Sequence, residues 1–378
     1  MPTTVAVLST YPPTQCGLAT FTAALVAHLR ATGGTVGVVR LVDRPEPVSA
    51  PEVVHHLRTD SAPAGAAAAA AAMNEFDVAI IQHEYGIYGG QDGEQVLAVL
   101  AALRVPAIVV LHTVLVTPTP HQRAIIEAVA GTGSTLVTMT RTAQQRLLHG
   151  YPVDPAKVLV IPHGATENRT PHGPAARGRR PLVLTWGLLG PGKGIEWAIE
   201  AMAHLQDLAP GPRYLVAGQT HPRVLERDGE AYRNRLTTRV AALDLGHAVD
   251  FDARYLHSDP LQRMVRQADV IVLPYDSQEQ VTSGVLIEAV SAGKPVVSTG
   301  FPHAVELLAG GAGLVVPRED PEALARALRR VLTEPGLAGR MSGEARRLAP
   351  QLLWPAVADR YRTVADTLAV QDATLVRA

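Results

Sequence analysis

Short apolar runs rich in β-branched residues recur along the chain, separated by segments of helix length. In the first part they lie at 5–9, 36–42, 78–81, 107–111, 136–139 and 158–161. Both faces of these runs are apolar, which predicts strands buried between helix layers and hence a parallel sheet. The alternation breaks at 165–180, ATENRTPHGPAARGRR, a polar, basic stretch with Pro and Gly that reads as a linker. It restarts with runs at 182–186, 214–217, 248–251, 270–273, 295–298 and 313–316, and helical spacing over 196–205, 222–243 and 321–332. The expected class is α/β, with two Rossmann-like doubly wound domains at 1–165 and 181–353. Residues 166–180 would join them, and 354–378 would form a helix lying back across the first domain. Ligands of such sheets bind beyond the carboxyl ends of the strands, so a cleft between the domains is the expected site. The alanine-rich tract at 62–73 reads as a helix without chemistry.

Composition narrows the classes. Hydrophobic residues make up 47% and charged residues 18% of 378 positions, which excludes a disordered chain. A net charge of −1 offers no basic field for nucleic acid. The single cysteine, Cys16, excludes a disulfide scaffold and a thiolate zinc cluster. No apolar run approaches the roughly eighteen residues that span a bilayer. The first residues enter a strand-like run without a signal-peptide layout. The expectation is a cytoplasmic enzyme, with peripheral membrane contact and oligomeric state left open. Lysine stands only at Lys157, Lys193 and Lys294 among 34 basic residues. A lysine kept in so arginine-rich a chain suggests a site that needs a compact ammonium.

Two segments carry chemistry. In LTWGLLGPGKGIEWAIEA a strand gives way to a helix through Gly187, Gly190, Gly192 and Gly194, with Lys193 among them. Glycines permit close backbone approach, and a helix N-terminus with a lysine suits phosphate. A nucleotide-triphosphatase P-loop is disfavoured, because Gly194 stands where that motif needs Ser or Thr; a plain tight turn is the bland alternative. In LPYDSQEQVTSGVLIEAVSAGKPVV a strand ends and a helix begins near Ser283, Gly284 and Val285, whose amides would face an anion. Glu288, flanked by apolar residues, suits a carboxylate that accepts from vicinal hydroxyls such as a ribose, as against a capping role. His83 and Glu84 sit at a strand end as candidates for contact with an acceptor or donor sugar. His112, after another strand, is blind to its role: a core histidine or a catalytic one. Asp250-Phe251-Asp252 fits a divalent-metal pattern but sits on a strand before the second segment.

Together these residues resemble glycosyltransferase family 4, the retaining, nucleotide-sugar-dependent enzymes of the GT-B fold. The resemblance covers essentially the whole chain. It rests on STYPPTQCGLATFTAALVAHL, VLHT, IPHG, GLLGPGKG, DPEALARAL, Gln280-x7-Glu288 and the A-x-x-x-G-K-P-V-V run. It implies His112, Lys193 and Glu288 as catalytic residues. Gly17, Gly187, Lys193, Gln280, Ser283, Gly284, Val285 and Glu288 would bind the donor, with Glu279 beside them. The implied reaction moves a hexose from a UDP- or GDP-linked sugar to a hydroxyl acceptor with retention, without cofactor or metal. Two departures stand out: Leu188 replaces the usual arginine after Gly187, and Gln280 replaces the first glutamate of the signature. A phosphorylase or epimerase of the same fold, or a non-catalytic sugar-nucleotide-binding subunit, stays open as an alternative.

Overall fold

The structure, a computed structural model, describes residues 2–47, 50–61, 63–168, 179–256 and 258–377. The chain divides into two units, Met1–Gly164 with Trp354–Ala378, and Ala165–Leu353.

The first unit holds seven strands: β1 (Val5–Ser9), β2 (Val36–Val42), β3 (Val53–Arg58), β4 (Val78–His83), β5 (Ala107–Leu111), β6 (Thr135–Thr138) and β7 (Val158–Val160). All pair in parallel, in the order β3-β2-β1-β4-β5-β6-β7. β1, β2, β4 and β5 are buried along their whole length, as runs apolar on both faces require. The apolar-run pattern misses β3. As an edge strand it buries only Val53 and Leu57 fully, and its sequence VVHHLR shows no continuous run. The alanine-rich helix Pro63–Met73 buries Ala66, Ala69, Ala70 and Met73, a single face at i, i+3, i+4, i+7 spacing. The last helix, Trp354–Arg377, packs into this unit's core, where Trp354 meets the Phe21 ring edge-on at 5.0 Å.

The second unit holds β8 (Leu182–Trp186), β9 (Arg213–Ala217), β10 (Val249–Asp252), β11 (Val270–Leu273), β12 (Val296–Thr299) and β13 (Gly313–Val316). They pair in parallel in the order β10-β9-β8-β11-β12-β13. The helical stretch expected over 222–243 is two helices, Pro222–Asp228 and Ala231–Ala242. Gly229, at φ +59°, breaks it between them. Of the expected linker, 169–178 lie outside the described residues. Its flanks are tied to the second unit: Asn168 donates to the Gln262 carbonyl and accepts from Arg266, and Arg179 pairs with Asp269. Polarity in those flanks serves packing as well as solvation. In each sheet the strand order reverses at one point, between β1 and β4 and between β8 and β11, which is where α/β sheets open a ligand crevice.

Candidate active site

At the second unit's switch point, the loop leaving β8 is laced to the loop leaving β9. Gly187 N–H donates to the Ala217 carbonyl at 3.0 Å, Leu189 N–H to Gln219 at 2.9 Å, and His221 N–H to Leu189 at 2.8 Å. The same loop is tied to the one leaving β11, since Asp276 N–H donates to the Gly192 carbonyl at 3.0 Å and Trp197 Nε1 to Asp276 Oδ1 at 2.9 Å. Gly194 is obligatory there. Its φ is +58°, and a Cβ would lie 1.8 Å from the Pro274 carbonyl oxygen.

This lacing presents Lys193. Its ammonium lies 4.3 Å from the centroid of the Tyr275 ring and, among the described residues, makes no hydrogen bond or ion pair. Burial pushes it down to about 8. The other two lysines are spent on the fold: Lys157 Nζ donates to the Gly133 carbonyl, and Lys294 Nζ to the carbonyls of Arg266 and Ala268. Tyr275 stacks on Phe301 at 5.1 Å and its hydroxyl bonds Ser283, the N-cap of the helix Gly284–Ser291. The lysine and the helix start therefore share one aromatic support.

The expectation that the Ser283 amide faces an anion is corrected. That N–H donates to His303 Nδ1 at 2.8 Å, while Ser283 Oγ accepts from Leu286 N–H. Gly284 and Val285 remain as the first-turn amides for a ligand. One turn on, Glu288 accepts from Trp186 Nε1 at 3.2 Å, and burial pushes it up to about 7. Gln280 is folded onto its own loop, its Nε2 donating to the Thr282 carbonyl, and Glu279 N–H donates to Ser277 Oγ. Asp250 and Asp252, the metal-like pair, are each bound to an arginine, Arg213 and Arg254, at 2.6 Å.

The first unit has its own cluster at the switch point. Cys16 caps the helix Gly17–Ala31, its sulfur accepting from Ala19 N–H, and so sets Gly17 at the helix start beyond β1. β4 ends at His83, whose two ring nitrogens are buried without partners. Glu84 accepts from Thr113 Oγ1 at 2.5 Å and Tyr85 N–H at 3.0 Å, and burial raises its pKa. His112 extends the β4–β5 ladder, its N–H donating to the His83 carbonyl. Its Nε2 lies 2.7 Å from Gln82 Oε1, which makes Nε2 the protonated nitrogen and leaves Nδ1 a lone pair. Burial, then the neighbouring His163 and His83, pushes His112 down to about 3, so it is neutral at working pH.

The glycosyl transferases group 1 profile matches residues 168–348, nearly the whole second unit. The D-inositol 3-phosphate glycosyltransferase of Acidothermus cellulolyticus is 33% identical over 237 residues, 58% of this chain and 50% of that protein. The second unit is similar to the group 1 glycosyl transferases. The chain spans 50% to 65% of the length of the curated relatives it matches. Among solved structures, the sucrose-phosphate synthase of Thermosynechococcus elongatus superposes with a TM-score of 0.77 at 20% identity, covering 97% of this chain and 100% of that one. Anabaena HepE in complex with UDP and glucose follows at 0.73 and 16%, covering 97% and 100%. The chain has the GT-B fold of these glycosyltransferases, as its motifs led one to expect.

Beside the motif residues, the structure brings in Trp186, Trp197, Tyr275, Asp276 and Gln82. One signal was available for the tryptophans. The chain has three, and two flank the glycine turn in LTWGLLGPGKGIEW. For Gln82 no such signal exists, because its contact with His112 depends on which strands become neighbours.

Proposed function

We propose that the chain is a retaining, metal-independent glycosyltransferase. It moves a hexose from a UDP- or GDP-linked sugar to a hydroxyl acceptor, in the cytoplasm. The observation that carries this reading is Lys193, a desolvated ammonium with, among the described residues, no partner but an aromatic face, set in a glycine turn at the switch point. A cation held so is poised for an anion that arrives with substrate. Glu288, fixed by Trp186, suits the hydroxyl pair of a ribose. That Anabaena HepE is solved with UDP and glucose fits this class of donor.

In the reaction the bond from the anomeric carbon to the diphosphate oxygen breaks and a bond to the acceptor oxygen forms on the same face. The departing phosphate oxygen takes the acceptor's proton. The protein's share is to hold the growing negative charge with Lys193 and the Gly284 and Val285 amides, as fixed electrostatic stabilisation. Neutral His112 offers the Nδ1 lone pair to a sugar hydroxyl. Asp250 and Asp252 are committed to arginines, and among the described residues no group of three His, Cys, Asp or Glu is placed to hold a metal ion.

The test is a donor panel of UDP- and GDP-sugars with EDTA present, quantifying free nucleoside diphosphate against sugar 1-phosphate. Nucleoside diphosphate release in EDTA is expected. Sugar 1-phosphate formation would assign a phosphorylase instead, and activity restored only by magnesium or manganese would end the metal-independent mechanism.

A further inference from the structure

Between β4 and the helix Gln95–Ala102 the sequence runs YGIYGGQDGE, with four glycines among its ten residues. A segment so rich in glycine has many conformations to lose on folding, so the groups that fix it are informative. One side is tied by groups that do not titrate. Gln95 N–H donates to the Gly89 carbonyl and Gly89 N–H to Gln95 Oε1, both at 3.1 Å. Gln95 Nε2 donates in turn to the Arg58 carbonyl at 2.9 Å and to Ser61 Oγ at 3.1 Å, anchoring the loop beside the end of β3. The other side is held by a histidine. His121, in the first turn of the helix Pro120–Gly131, has Nδ1 3.0 Å from Asp92 Oδ2 and Nε2 3.1 Å from Glu94 Oε2. Asp92 meets it from a left-handed backbone, at φ +49°, and also accepts from Gln122 Nε2 at 3.3 Å.

Carboxylates only accept hydrogen bonds and a neutral imidazole has one N–H, so both contacts are satisfied together only by the imidazolium. A cation in the first turn of a helix opposes the helix dipole, so the charge serves the loop and not the helix. Asp92 first, and Glu94 with it, hold His121 above its ordinary 6.5. The neighbouring groups are otherwise engaged. Arg123 donates to the Gly150 carbonyl and lies 3.5 Å from Glu127, and Tyr85, kept protonated by burial, donates to the Gln122 carbonyl. The helix Gln95–Ala102 brings no ionisable side chain. We propose that His121 is a positioning residue: as an imidazolium it clasps the 85–94 loop beyond β4, and as a neutral ring it releases that side of the loop. The clasp is present below the raised His121 value and is lost as pH rises through it. The loop continues directly from His83 and Glu84, and Tyr85 meets the His83 ring edge-on at 5.2 Å, so the clasp bears on that strand end. This inference stands apart from the nucleotide-sugar reading.

The test follows the full chain from about pH 6 to about pH 8.5 by imidazole NMR and by hydrogen exchange corrected for the intrinsic pH dependence of exchange. His121 should titrate above 6.5 in the unsubstituted chain and closer to it in Asp92→Asn, which keeps a residue type tolerant of the left-handed backbone. The reporter amide is Glu94 N–H, which donates to the Gln91 carbonyl on the clasped side. Its protection should fall about three- to tenfold across that range, with the Gln95 amide and β6 changing far less. In His121→Gln the Glu94 amide should be weakly protected at every pH. In His121→Arg, whose two-pronged cation never discharges, it should stay protected throughout. Titration of His121 at or below 6.5 overturns the proposal. So does a Glu94 protection that is constant with pH in the unsubstituted chain, or that falls with pH as steeply in His121→Gln.

Discussion

In the proposed site Lys193 and Glu288 should set opposite pH limits on the same ligand. Binding needs Lys193 charged, and burial lowers it to about 8, so affinity should fall above that pH. It needs Glu288 ionised, and burial raises it to about 7, so affinity should also fall, by up to tenfold per pH unit, as pH drops below 7. Nucleoside diphosphate affinity plotted against pH should therefore be bell-shaped with a narrow top between about 7 and 8. Glu288→Gln should lower the top and flatten the acid limb, leaving only the phosphate's own ionisation near pH 6. An unchanged acid limb in the mutant would show that Glu288 does not touch the nucleotide. For turnover, Lys193→Ala should cost on the order of 100- to 1000-fold, Lys193→Arg less, and Lys157→Arg almost nothing. Lys157 only ties a turn to the Gly133 carbonyl.

At the scale of elements, the strands were legible because parallel strands buried on both faces are continuous apolar runs. Twelve of the thirteen strands come from such runs, and β3 escapes because an edge strand with two fully buried positions has none. The candidate site was legible where a glycine turn or a helix start has a local signature, as at Gly187–Gly194 and Ser283–Glu288. It was not legible where the partner is remote in sequence. Gln82 meets His112 across 30 residues, Trp186 meets Glu288 across 102, and Ser283 lends its amide to His303. The turn itself makes a sharp prediction. Gly194→Ala forces a methyl into the Pro274 carbonyl and needs a left-handed residue, so the β8 and β11 loops must part. Nucleotide binding should be lost, with faster hydrogen exchange at the Asp276 amide, which now bonds Gly192. Normal binding by this variant would mean that the turn is not part of the site.

Across the whole molecule the two units should respond to acid with opposite sign. His83, His112 and His163 in the first unit are held at about 4, 3 and 4 by burial, below the ordinary 6.5. Unfolded, they bind protons first, so their contribution is complete above pH 6.5 and is lost as pH falls toward 4. The loss should reach several kcal/mol in sum by pH 4.5. In the second unit Glu288 and Asp276 are raised to about 7 and 6. Folding there binds protons, so that contribution is present at low pH and fades as pH rises through 7. Hydrogen exchange of β1 and β4 against β8 and β11, at pH 7.5 and 4.5, should show the first pair losing protection and the second keeping it. Uniform loss across both sheets would mean that these buried groups do not govern the pH response.

The central claim is that the desolvated Lys193 holds the diphosphate of a nucleotide, and one calorimetric titration addresses it directly. UDP and GDP are each titrated into the chain and into Lys193→Ala at pH 7.5, in EDTA. The expected result is saturable binding of at least one of them, one molecule per chain, weakened about tenfold or more in the mutant. Equal affinity in both proteins, or no binding of either nucleotide, would contradict the claim.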